Sequence, residues 1–184
     1  MRKPMTLFYI ALVVGIVLVF YWYRSQPPSV IIEQPNDTIT DFDSCVAAGN
    51  PILESYPEQC RTPDGMNFVH DIGNELEKMD LIRIIAPRPN TSIGKTFTVS
   101  GEARGFWFFE ASFPIELRGA DGNTLLKSFV MAEGDWMTEN FVPFEKEFVL
   151  DTLPPGKGEL ILHKDNPSGL PEHDDFLRVP VVFQ

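Results

Sequence analysis

Basic residues are scarce in this sequence. Its 184 residues hold 15 Lys and Arg against 26 Asp and Glu, a formal charge of −11. A nucleic-acid binder needs a basic footprint to neutralise phosphates, so no nucleic-acid partner is expected. Cysteine is scarcer still: there are two, Cys45 and Cys60, with only His70 nearby as a further metal ligand, whereas a structural zinc site takes four. Catalytic signatures are missing too. The sequence has no G-x-S-x-G, no H-E-x-x-H, no P-loop and no G-x-G-x-x-G after a strand. His70, His163 and His173 have no triad-like arrangement, and no cofactor is implied. Paired carboxylates do glycosidase chemistry, but nothing singles out a pair among 26 acids. The expectation is therefore a protein that is not an enzyme, with a cell-envelope hydrolase using carboxylates as the alternative.

Charge is absent altogether from the side chains between Lys3 and Arg24. Residues 6–23, TLFYIALVVGIVLVFYWY, form an apolar run of 18 residues. As a helix it would span about 27 Å, close to the roughly 30 Å hydrocarbon core of a bilayer. The run closes on Phe20, Tyr21, Trp22 and Tyr23, aromatics suited to a membrane interface, and no small-residue cleavage site follows. An uncleaved, single-pass signal anchor is expected over residues 1–24. Arg2 and Lys3 outweigh Arg24, which keeps the short N-terminus cytoplasmic and puts the rest outside the cell membrane. Without those three residues the remainder carries 12 basic and 26 acidic residues, net −14. Residues 25–40 contain three prolines and read as an extended linker.

In an oxidising compartment an even cysteine count reads as a disulfide, here Cys45–Cys60. The bond would close a loop of about 16 residues, which the chain-entropy account values at ~3 kcal/mol. Turn chemistry surrounds it, in Gly49-Asn50-Pro51, Tyr56-Pro57 and Pro63-Asp64-Gly65. Residues 41–72 are expected to form a small two-cysteine module, too short to bury much apolar surface without a staple. A protease-inhibitor-like role for this disulfide loop is a further alternative.

From residue 81 short apolar runs alternate with turn signals, the spacing of an all-β sandwich. Seven strands are predicted, over 81–85, 96–103, 110–118, 124–130, 141–150, 159–163 and 176–183. Pro180 removes a backbone donor, so the last strand should lie at an edge or bulge there. Residues 80–184 are thus expected to be an immunoglobulin-like antiparallel sandwich.

The landmarks along this half carry a resemblance. IIAPRPN at 84–90 is followed by VSGEARGFWFFEASFP at 99–114, DGN at 121–123 and GDWM at 134–137. DNPSGLPEH at 165–173 and VPVVF at 179–183 complete the order. Together they resemble the bacterial spore-germination immunoglobulin-like domain family, over about 81–183. The resemblance implies an extracytoplasmic, non-enzymatic β-sandwich, often tethered to a membrane.

A binding surface is expected where loops gather at one sandwich end: the 104–109 turn, the 134–137 turn and the 168–175 loop. Trp107, Phe108, Trp136 and Met137 are the candidate apolar anchors there, and Glu110 the candidate acid. Glu110 is expected on an inward-facing parity of its strand, where a buried carboxylate must be hydrogen-bonded. The competing reading makes Trp107 and Phe108 core, and Trp136 a cap on the sandwich end. Oxygen ligands crowd residues 165–175 without matching a calcium-binding loop. The partner, an envelope protein or wall component, is expected to be neutral or basic.

Overall fold

The computed structural model describes residues 21–22 and 38–184. Apart from Tyr21 and Trp22, the expected signal anchor lies outside the described residues, as does most of the linker. Among the described residues no helix is long and apolar enough to cross a membrane. Residues Ile39–Gln184 form one compact unit.

Its first part is built around the disulfide. Helix α1 (Phe42–Ala47) starts at a capping box: the Asp41 carboxylate accepts from the Ser44 N–H at 2.8 Å, and Ser44 Oγ accepts from the Asp41 N–H at 3.1 Å. A three-stranded antiparallel sheet follows, β1 (Ile52–Leu53), β2 (Gln59–Arg61) and β3 (Asn67–Val69). The Cys45–Cys60 disulfide joins α1 to β2 with the two Cα atoms 6.0 Å apart. It sits in a miniature core with Phe42, flanked by Ile39, Val46 and Phe68. One short helix, α2 (Glu75–Lys78), leads into the sandwich.

The sandwich has eight strands rather than seven. They are β4 (Ile82–Ala86), β5 (Ser92–Ile93), β6 (Thr96–Arg104), β7 (Ser112–Gly119), β8 (Thr124–Met131), β9 (Phe141–Val149), β10 (Gly156–His163) and β11 (Phe176–Phe183). One sheet has the order β5-β11-β10-β7-β8 and the other β4-β6-β9. All pairings are antiparallel except β5 with β11. The unpredicted strand, β5, is two residues long, too short for an alternation to register in sequence. Alternate residues face inward: Val99, Ile115, Leu117, Phe144, Leu160, Leu162, Leu177 and Val179 all pack in one core.

An open sandwich has two lateral sides where sheet edges meet solvent. On one, β8 and β9 touch through the Ala132–Phe144 bridge. Lys146 lies on the inward parity of β9, and its ammonium reaches out to the Phe129 carbonyl at 2.8 Å. On the other side, α2 packs against both β4 and β11. There the Asn74 side-chain amide extends the ladder, donating to the Phe176 carbonyl at 2.9 Å and accepting from the Arg178 N–H at 2.7 Å. The next outward group is the Pro180 carbonyl, which accepts from the Asn90 N–H at 2.7 Å. Contrary to expectation, β11 is neither an edge strand nor bulged at Pro180: it lies between β5 and β10, but β5 covers it only at Val182 and Phe183, and the missing N–H of Pro180 would have pointed to the side away from β10. Gly73 makes this approach possible: a Cβ there would lie 1.8 Å from the Arg178 carbonyl oxygen.

Candidate interaction surface at the sandwich tip

The turns expected to gather at one end do gather. Gly105 opens a 3-10 turn, Gly105–Trp107, after β6, and its N–H donates to the Asn140 carbonyl at 3.1 Å. A Cβ on Gly105 would come within 1.9 Å of the Thr138 carbonyl and 2.2 Å of that of Trp136, so the 105–107 and 136–140 segments lie backbone to backbone. The Asp165 N–H donates to the Trp107 carbonyl at 3.0 Å, which brings in the loop after β10. Its end is closed by Asn166, whose amide donates to the Leu170 carbonyl and the Asp174 carboxylate.

Two of the candidate anchors are core. Trp107 is 0% exposed and Phe108 3% exposed, so neither can meet a partner. The tight turn folds the indole inward, and Phe108 packs edge-on against Phe113 with centroids 5.1 Å apart. Trp107 Nε1 is buried without a hydrogen-bond partner among the described residues. Trp136 is half-buried against the same core, in keeping with a cap, although no partner for its indole N–H is found among the described residues. Met137 is 77% exposed. The apolar groups that do face solvent beside it are Phe106, 51% exposed, and Phe109, 41% exposed. Both lie in the FWFF run. Which of four successive apolar residues point out depends on a turn that breaks strand parity, so the sequence does not order them.

Glu110 also departs from expectation. It is exposed, and β7 starts only at Ser112. Phe109 and Ser112 exchange two backbone hydrogen bonds, of 2.9 and 3.1 Å, around Glu110 (φ 50°) and Ala111 (φ 61°). Both central residues have positive φ, the geometry of a two-residue hairpin turn that normally takes Asn-Gly. The carboxylate projects beyond the sheet rather than into it. Burial and the charge of Glu110 push the Asp165 carboxyl above its ordinary range, so these two acids sense each other.

The buried acid is instead Glu116, 4% exposed, on the outer face of the five-stranded sheet. Arg118 donates to it at 2.6 Å, Thr124 hydrogen-bonds it, and Lys127 and His163 stand at 3.7 and 3.6 Å. The hydrogen bond from Arg118 leads in drawing its pKa down to about 2, against the opposing effect of burial. This ring of partners satisfies the carboxylate.

Acids along the lateral seam are similarly engaged. Arg178 bridges Asp71 at 2.7 Å and Glu159 at 2.8 Å, and Lys157 pairs with Asp43. Arg88 holds Glu75 at 2.5 Å, the Tyr56 hydroxyl at 2.7 Å and the Ile84 carbonyl at 2.7 Å. Burial and the neighbouring Glu75 push the Tyr56 hydroxyl up to about 12. In the clefts beside this seam His70 contacts Glu58 at 3.1 Å and stacks on Phe42 at 4.1 Å. Tyr56 is exposed, with its hydroxyl hydrogen-bonded to Glu75 and Arg88. Among the described residues no group of three or more His, Cys, Asp or Glu is placed to hold a metal ion, the 165–175 loop included.

Fold and surface together define an immunoglobulin-like β-sandwich with loops gathered at one tip and its buried acid tied up in ion pairs. Residues 81–169 match the family described as the immunoglobulin-like domain of bacterial spore germination. Such domains are generally non-catalytic. The match runs from β4 past β10; β11 beyond it pairs with β10 along its whole length and completes the same sheet. No curated protein matches the chain.

Proposed function

We propose that the protein is a membrane-anchored, extracytoplasmic, non-catalytic module of the cell envelope, whose sandwich tip binds a partner protein or wall component. The observation that carries the binding role is the exposed cluster of Phe106, Phe109 and Met137 on turns that a rigid core holds in place. The family match supports a binding or scaffold domain. The uncharged run at 6–23 supports the anchor. A photo-crosslinking residue in place of Met137 should trap a discrete partner in intact cells, whereas the same residue at Glu147, near the far end of β9, should not. Equal trapping at both positions, or none at Met137, rejects the tip as the binding surface.

A further inference from the structure

The tip joins an apolar centre to an uncompensated acidic rim. The adjoining turns that carry the exposed Phe106, Phe109 and Met137 also carry Glu110 and Asp135, and Asp165 joins them through its N–H bond to the Trp107 carbonyl. None of these acids has a basic partner within 4 Å among the described residues. Asp135 is held in place by accepting from the Met137 N–H at 3.0 Å, and Asp165 is anchored through its own N–H to Trp107. The contrast with the outer face of the five-stranded sheet is sharp, because there Glu116 and Glu159 are both ion-paired.

That contrast decides the occupant. Carboxylates gathered on adjoining turns without ion pairs repel each other, and a partner that brings cations relieves the repulsion while its apolar side chains cover the rings. A second copy docking tip to tip would set acids against acids. We infer that the tip receives a cationic peptide segment of another protein. Its Lys or Arg side chains meet Glu110 and Asp165, and its apolar side chains cover Phe106, Phe109 and Met137. This rests on the tip being the binding surface.

The probe is a labelled twelve-residue peptide alternating Lys with Phe and Leu, titrated by fluorescence anisotropy into the full chain in neutral detergent micelles. Its counterpart with Glu in place of every Lys serves as the charge control. The Lys peptide should bind and the Glu peptide should not. Phe109→Ser combined with Met137→Ser should weaken binding about tenfold, as loss of central apolar anchors does. Glu110→Gln should weaken it several-fold, and binding should fall as salt rises. The control pair Glu145→Gln and Glu147→Gln, on the outer face of β9, should change affinity less than twofold. All substitutions are at exposed positions, and an unchanged melting temperature confirms folding. If the control pair weakens binding as much as the tip variants do, attraction to net charge explains the result and the inference fails. Binding of the Glu peptide, or concentration-dependent self-association that Phe109→Ser abolishes, also overturns it. A partner trapped from Met137 together with no preference for the Lys peptide would sink the ligand class alone and leave the tip reading standing.

Discussion

Trp107 and Met137 lie thirty residues apart on turns that meet, and they take opposite roles. Trp107→Ala should cost about 3–5 kcal/mol, because a buried indole leaves a cavity that turns cannot refill. Met137→Ala should leave chemical denaturation within about 0.5 kcal/mol of the parent, as exposed positions usually do. A Trp107 variant of unchanged stability would contradict the packing. Glu116 makes a pH-dependent contribution. Its pKa is depressed from 4.5 to about 2, so its stabilisation is complete above pH 4.5 and is lost as pH falls from 4.5 towards 2. The gap in unfolding free energy between the parent and Glu116→Gln should accordingly be widest near pH 7, on the order of 2–3 kcal/mol, and close below pH 4. A gap that stays constant down to pH 2.5 would show that the carboxylate is not held by these partners.

Edges are the main problem that the elements have to solve. Unpaired strands invite other chains, and inward-pointing charges or covering loops are the usual protections. Lys146 supplies the first between β8 and β9; the Asn74 amide and α2 supply the second along β11 and β4. Asn74→Ala removes a donor to Phe176 and an acceptor for Arg178, and should lower stability by about 1–2 kcal/mol. Hydrogen exchange at the Arg178 amide should rise with it; unaltered protection there would mean that another group replaces the side chain. The disulfide acts more locally. Replacing Cys45 and Cys60 by Ala should speed exchange across residues 41–71 while the core amides of β7 and β10 stay protected. Loss of protection throughout would show that the small disulfide core and the sandwich unfold as one.

At the scale of the whole molecule, charge is the dominant field. The part beyond residue 24 carries net −14, and among its acids Glu110, Asp135 and Asp165 have no ion-pair partner within 4 Å among the described residues. Self-repulsion of this kind weakens as salt shortens the Debye length. The thermal midpoint should therefore rise by a few degrees between about 10 and 150 mM salt. A midpoint that falls would mean that the seam pairs, Arg178 with Asp71 and Arg88 with Glu75, contribute more than the repulsion removes.

Much of the architecture is readable from residues alone, because period-2 alternation is a local property. The strand positions from Ile82 to Phe183 and the disulfide follow from short-range pattern and residue chemistry, whereas the edge position expected for the strand of Pro180 is taken by β5. β5 escaped because two residues carry no period, and β7 was begun two residues early because Glu110-Ala111 adopts a turn without Asn or Gly to announce it. Tertiary structure alone decided which members of the FWFF run face solvent. Backbone approach at Gly105 to Thr138 fixes that turn, and no sequence spacing encodes a contact across more than thirty residues. For the same reason the buried acid is Glu116 rather than Glu110. Burial on an outer sheet face comes from Arg118, Thr124, Lys127 and His163, which three strands bring together around it.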